Sequence, residues 1–169
     1  MPEACQPAPV ALGWVWWRMR QLVYTMHFRG QISRSTGNGE TLRATSSGTS
    51  CTMQTVVGPS GAETTLQPVQ GDLAFIETEI HMAGKNAFEG TGTLAFGDEA
   101  EHTLRFSTDK TGQLSPTGVP GVLAGAVSWR IDGGAGRFAS ASGFISSAFT
   151  VTESGELSEY HCGLVFVPD

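Results

Sequence analysis

Gly133-Gly134-Ala135-Gly136-Arg137-Phe138-Ala139-Ser140-Ala141-Ser142-Gly143 stands between two stretches, 122–131 and 144–151, that alternate in the manner of β-strands. Four small residues between Asp132 and Arg137 let the backbone take positive φ and turn tightly. Arg137 and Phe138 restart the chain, and small residues follow where neighbouring strands pack closely. No nucleophile elbow, metal cage or phosphate cradle can be read in this stretch, so it speaks of architecture.

Outward from the turn, the same period-2 pattern recurs. Leu22, Tyr24, Met26 and Phe28 share one face of a first strand, and residues 40–57 form a long Ser/Thr-rich stretch after a turn signal at Gly37-Asn38-Gly39. Gly58-Pro59-Ser60-Gly61 breaks it. Residues 73–82 are the next strand, with Leu73, Phe75, Glu77, Glu79 and His81 on one face and Ala74, Ile76, Thr78, Ile80 and Met82 on the other. Phe88, Gly90, Gly92, Leu94 and Phe96 share a face, and His102, Leu104 and Phe106 continue the pattern. A turn at Asp109-Lys110-Thr111-Gly112 leads into a Pro/Gly loop ending near Gly121, and residues 157–167 close the chain. Beyond residue 20 no window of ten or more residues carries a helical apolar stripe. Eight or nine strands with short turns predict an all-β, antiparallel sheet. Glycines within strands and the absence of Pro or Lys at strand ends favour an eight-stranded closed barrel with no free edge.

Composition agrees with strands. Charged residues are only 15% of the chain, and polarity comes from Ser, Thr and 22 glycines. Residues 1–43 hold five arginines against Glu3 and Glu40, a balance of +3, while the remainder has five Lys/Arg against fourteen Asp/Glu, a balance of −9. An acidic body without a basic stripe argues against a nucleic-acid groove. Three cysteines, Cys5, Cys51 and Cys162, do not make a disulfide framework and read as reduced thiols of a cytoplasmic protein, with a Cys51–Cys162 bridge left open.

The reading divides the chain into an extension, residues 1–19, and one domain, residues 20–169. The extension carries Val10-Ala11-Leu12-Gly13-Trp14-Val15-Trp16-Trp17, with its arginines after the apolar run rather than before it. A signal peptide has the opposite order, and a bilayer span takes ~20 apolar residues. Three readings stay open: a stretch upstream of a start at Met19 or Met26, a segment covering apolar surface, or an interfacial Trp/Arg anchor.

The turn, with Ala135 standing where a Thr is common, resembles the Gly-Gly-Thr-Gly-Arg-Phe segment of allene-oxide-cyclase-like and dirigent-like barrels and their small bacterial relatives. The likeness extends loosely over residues 73–167. It implies an eight-stranded antiparallel barrel with an apolar lumen, assembled as a homodimer or homotrimer. It also implies binding of a small hydrophobic molecule, in some members with cyclisation or isomerisation of a reactive natural-product or lipid-like intermediate. No catalytic residue of the family maps onto this chain.

Candidate chemistry therefore comes from the residues. Glu77, Glu79 and His81 lie along one strand face. Turned inward with Phe75, Glu77 and Glu79 would become acid/base groups by burial; turned outward, they are a solvated face. His102 shares its face with Leu104 and Phe106 and is the third catalytic candidate. Tyr24, Phe75, Phe106, Tyr160 and Phe166 are the expected ligand-lining set, with Tyr160, Cys162, Leu164 and Phe166 inside and His161 looking out. Arg137 anchors the turn or pairs with Asp132, an anion site at the barrel mouth being the alternative. His27, His81, His102 and His161 are scattered without a His-x-His pair, so no metal and no cofactor are expected. No Gly-x-Ser-x-Gly elbow or complete P-loop is present. Three functions follow: a cofactor-independent cyclase or isomerase, a non-catalytic carrier of a hydrophobic ligand, or a barrel filled by its own side chains that serves as a structural module.

Overall fold

The computed structural model describes residues 19–34 and 41–169. The extension through residue 18 and the turn expected at Gly37-Asn38-Gly39 lie outside the described residues. Ten strands follow one another: β1 (Met19–Arg34), β2 (Thr41–Gly58), β3 (Gly61–Pro68), β4 (Ala74–Met82), β5 (Ala87–Phe96), β6 (His102–Thr108), β7 (Gly112–Pro116), β8 (Val122–Ala135), β9 (Ser142–Thr152) and β10 (Glu156–Pro168). One 3-10 turn, Gly136–Phe138, is the sole helical element among the described residues.

Every pairing is antiparallel. The order β1-β10-β9-β8-β6-β5-β4-β2 returns to β1, so hydrogen bonding runs round a ring of eight strands. Two strands exceed the expectation. β3 pairs only with β2, as the return arm of a hairpin whose tip bears the exposed Val56 and Val57. β7 shares with β6 the slot between β5 and β8, pairing where β6 has ended.

Alternation decides what lies inside the ring. Phe28, Ala74, Ile76, Phe88, Leu94, Leu104, Phe106, Val127, Trp129, Ile131, Ile145, Val165 and Val167 form the core, each such aliphatic or aromatic side chain stabilising the fold by about 1.5–3 kcal/mol on full burial. Glycines make room for the largest of them. A Cβ at Gly92 would overlap the Phe106 ring, at Gly112 the Phe88 ring, at Gly125 the Phe149 ring and at Gly163 the Tyr24 ring. Four aromatic rings thus lie across glycines of other strands, which lets a narrow ring hold bulky side chains without strain.

The glycine segment is only partly a turn. β8 continues through Gly133 and Gly134 to Ala135, with a bulge where its register against β6 shifts between Leu104 and Phe106. Gly134 passes so close to the Thr103 carbonyl that no side chain fits, and the chain turns at Gly136, whose φ is +58°.

The expectation of a sheet without free edges is corrected. β3 has one unpaired side, and β1 meets β2 only from Met26 to Arg34. Residues 19–25 of β1 pair with β10 alone, because β2 leaves the ring at Ser50 to pair with β3. The ring is therefore laced over part of its height and open on one flank at one end.

Candidate functional site

The open flank is a cleft. Leu22, Val23 and Tyr24 of β1 and Val165 of β10 form one wall; Phe96 of β5, Leu104 of β6 and Phe138 of the turn form the other. Its volume is about 310 Å³. The Tyr24 and Phe96 rings meet edge to face across it, 6.4 Å between centroids, and Phe96 packs on Phe138 at 5.1 Å. His102 and Arg137 stand at its rim. The glycine turn seats His102: its Nδ1 accepts a hydrogen bond of 3.4 Å from the Arg137 backbone N–H, and a Cβ at Gly136 would overlap the ring. The Arg137 guanidinium lies over the Phe138 ring at 5.3 Å. Of the two roles expected for Arg137, pairing with Asp132 is not formed; Asp132 accepts from Arg130 Nε at 3.0 Å and from Ser107 Oγ at 2.6 Å.

Below the cleft the interior turns polar. Glu159 and His161 point inward from β10, and Ser147 points inward from β9. The Ser147 hydroxyl donates to Glu159 Oε1, and His161 Nε2 lies 3.0 Å from the same oxygen. Neither imidazole nitrogen has a well-aligned hydrogen-bond partner, and the Glu159–His161 contact is a close approach of carboxylate and imidazole. Burial acts to raise the Glu159 pKa, but His161 and the Ser147 hydrogen bond outweigh it and hold the carboxyl below its ordinary value. Tyr24 borders both the cleft and this cluster. Burial, then the charges of Glu159 and Cys162, push its phenol well above the ordinary value, so it remains a donor. The Tyr24 hydroxyl and the Trp129 indole nitrogen are both buried without a partner, a rarity among native buried polar groups.

The expected site residues are dispersed. Tyr24 and Phe106 face the interior as expected. Glu77 and Glu79 do not: they lie on the outer face of β4 with side chains 58% and 61% exposed, Glu77 paired with Arg43 and Glu79 with His81. The inner face of β4 is Ala74, Ile76, Thr78, Ile80 and Met82, so the burial that an acid/base role required is missing. Phe75 lies outside with them, 39% exposed. His102 is exposed at the rim rather than within the ring. Tyr160 and Phe166 also face outward, Tyr160 stacked on His27 at 4.4 Å.

The face of β10 is reversed from the expectation: Leu157, Glu159, His161, Gly163, Val165 and Val167 are the inner row. Register explains it. Tyr24 is opposite Gly163, and its inward ring needs the space that only a glycine leaves there. The outer row is the more apolar of the two, since Leu164 lies between Val23 and Phe144 on the surface. Hydrophobic alternation thus chose the wrong face and missed Ser147, Glu159 and His161. The Glu159-x-His161 spacing, combined with a glycine two residues on and Tyr24 across from it, is the signal that could have found them.

Cys51 and Cys162 are unbridged. Among the described residues no cluster of three His, Cys, Asp or Glu side chains is arranged to hold a metal ion, and no helix is long and apolar enough to cross a membrane. Comparison with known proteins finds no matching family model, no matching curated protein and no matching solved structure.

Proposed function

We propose that the eight-strand ring is a barrel of the allene-oxide-cyclase-like kind, laced over part of its height, and that it binds a small hydrophobic molecule, admitted through the flank that β2 leaves open. The observation that carries this reading is the cleft itself: an apolar concavity of about 310 Å³ walled by Leu22, Tyr24, Phe96, Leu104, Phe138 and Val165. Its walls suit an apolar body, and the rim groups His102 and Arg137 suit a polar end. A volume at the lower end of the usual ligand range favours a compact molecule, on the scale of a monoterpenoid or a small ring ketone. Cyclase or isomerase activity fits a ligand confined in this way, because holding a flexible chain near its reactive conformer lowers the entropy lost on reaching the transition state.

A second reading, a structural module, has one observation in its favour: Phe28, Leu94, Leu104 and Ile145 fill the middle of the ring with no exposure. Native mass spectrometry of the protein purified from its own host separates the two. A mass excess that is released on denaturation, and lost in Val165→Trp, supports the ligand reading. Bare chain mass in every preparation, together with no uptake of anilinonaphthalene sulfonate, supports the filled module instead.

A further inference from the structure

Neither the core nor the cleft accounts for Phe75, an aromatic side chain 39% exposed in the middle of a polar sheet face. Its cross-strand partners are Ser47 on β2 and Ala95 on β5, too short to cover the ring. One step along the strands, Thr45, Glu77, Thr93 and Arg105 stand side by side on the same outer face. A further step gives Arg43, Glu79, Thr91 and Ser107. Small side chains along β2 and β5 thus leave a trough on either side of the ridge formed by Phe75, Glu77 and Glu79. β4 and β6 are two strand spacings apart, so the trough over β5 is about 10 Å across from backbone to backbone. The result is two concavities in the outer surface, of about 690 Å³ and 570 Å³, which adjoin at Glu77 and Thr93. They share no residue with the cleft.

The chemistry of the walls selects the ligand. Arg29, Arg43 and Arg105 stand against Glu77, Glu79 and Asp132, three cations to three carboxylates, on an otherwise acidic domain. The charges are also matched locally: Arg43 pairs with Glu77, Arg130 Nε lies 3.0 Å from Asp132, and His81 Nε2 lies 3.2 Å from Glu79. A charged ligand would meet as much repulsion as attraction here. A wholly apolar one would strip water from the ion pairs without replacing its hydrogen bonds. A hydroxyl both donates and accepts, so one hydroxyl can bridge a guanidinium, which only donates, and a carboxylate, which only accepts. The uncovered Phe75 ring adds a demand for an apolar face, because its negative π surface attracts polarised C–H bonds. A sugar ring carries both, hydroxyls round its edge and C–H bonds on its face.

We propose that this outer face binds a neutral oligosaccharide, with Phe75 as the stacking platform and with Gln31, Arg105 and the Arg43–Glu77 pair as hydroxyl partners. Two adjoining concavities suit a chain of sugar units, since the walls continue from Arg29 and Gln31 on β1 to Asp132 on β8. The site is independent of the interior-ligand reading above, because it lies on the opposite face of the same strands.

The test titrates the intact, isotope-labelled chain with maltohexaose, cellohexaose and mannohexaose, and with a heparin-derived hexasaccharide as the acidic contrast, read by NMR. At least one neutral probe should move the backbone amide signals of Ser47, Phe75, Glu77 and Thr93 and leave those of Leu104 and Val165 in place. The heparin probe should move neither set. Phe75 is exposed enough for Phe75→Ala to fold, and that change should weaken binding about 10-fold or more. Phe75→Trp should restore it, a rescue that a merely structural ring would not give. The double variant Glu77→Gln, Glu79→Gln leaves the arginines in excess and should turn the preference toward the heparin probe. Equal affinity in F75A, or a native chain that prefers heparin, overturns the proposal. So does the absence of shifts with every probe, and so do shifts confined to Leu104 and Val165, which would place the sugar in the cleft.

Discussion

Replacing Glu159 alone should damage the fold far more than replacing it together with its partners. Glu159 has a side chain 10% exposed and His161 one 1% exposed, so neither can turn to water when the other is removed. Glu159→Leu strands the His161 imidazole and the Ser147 hydroxyl in an apolar interior, and breaking a buried pair in this way costs about 3–5 kcal/mol. A loss of that size lowers the melting temperature by roughly 10 °C in a domain of this length. With a urea m-value of about 2 kcal/mol per molar, the denaturation midpoint falls by about 2 M. The triple variant Glu159→Leu, His161→Phe, Ser147→Ala leaves no orphaned polar group from the set and keeps most of the volume. It should match the native chain or gain about 1–4 kcal/mol, as apolar replacements of buried pairs do. The assay is urea denaturation of the native, single and triple forms by circular dichroism, with equal m-values required for the comparison. A triple variant that loses as much as the single one would refute the reasoning. It would mean that the cluster is a structural clamp, with its polar contacts holding this part of the interior better than apolar packing does.

Two further outcomes follow from the same interior. Gly163→Ala puts a Cβ into the Tyr24 ring and should cost about 1–3 kcal/mol by overpacking, and adding Tyr24→Ala should recover part of that; additive losses in a double-mutant cycle would show that the ring does not rest on this glycine. Stability should also fall with acid in two stages. Burial and the Arg29 charge lower the His27 pKa, so its contribution is complete above about 6.5 and is lost as pH drops through its lower folded value. Glu159 is likewise depressed, so its share is complete above the ordinary carboxylate pKa and disappears below that range. Urea midpoints against pH should lose the upper stage in His27→Gln and the lower stage in Glu159→Gln, and a lower stage unchanged in Glu159→Gln would contradict the ionised, paired carboxylate.

The all-β architecture was legible because it depends on alternation and glycine placement, which a single chain displays locally. The inner rows of β1 and β5 were each readable from one strand, as Leu22, Tyr24, Met26 and Phe28 share a face, and so do Phe88, Gly90, Gly92, Leu94 and Phe96. β4, with Phe75 beside Glu77 and Glu79 on one face and Ile76 beside Thr78 on the other, left its inner face open. β3 was not legible: Gly61–Pro68 buries no side chain fully, so it has no apolar row, and only its pairing with β2 makes it a strand. β7 was hidden by Pro116, Gly118 and Pro120, which mark a loop in sequence although Gly112–Pro116 complete the slot left by β6. The open flank was invisible for the same reason. Nothing in residues 41–58 says that β2 changes partners at Ser50, because no Pro or Gly interrupts the strand between Thr49 and Val57.

The site was missed through a failure of the rule that served the fold. Alternation identifies the buried face as the more apolar one, and for β10 that gives Tyr160, Cys162, Leu164 and Phe166. The true inner row holds Glu159, His161 and Gly163, polar or empty at the places where ring geometry demands burial. A strand violates its hydrophobic pattern when something else pays for the violation, and here the compensation is the Ser147–Glu159–His161 contact and the ring of Tyr24 over Gly163. The same two-residue acid-to-histidine spacing occurs in Glu79 and His81 of β4, where the pair stands in water and no such compensation is needed. Spacing alone therefore cannot distinguish the buried pair from the solvated one. What distinguishes them is the neighbouring strand: Tyr24 requires a glycine opposite it, that requirement fixes which face of β10 turns inward, and Glu159 and His161 follow by parity. The site is encoded in a cross-strand pair more than a hundred residues apart, and for that reason it becomes readable only once the register of β1 against β10 is known.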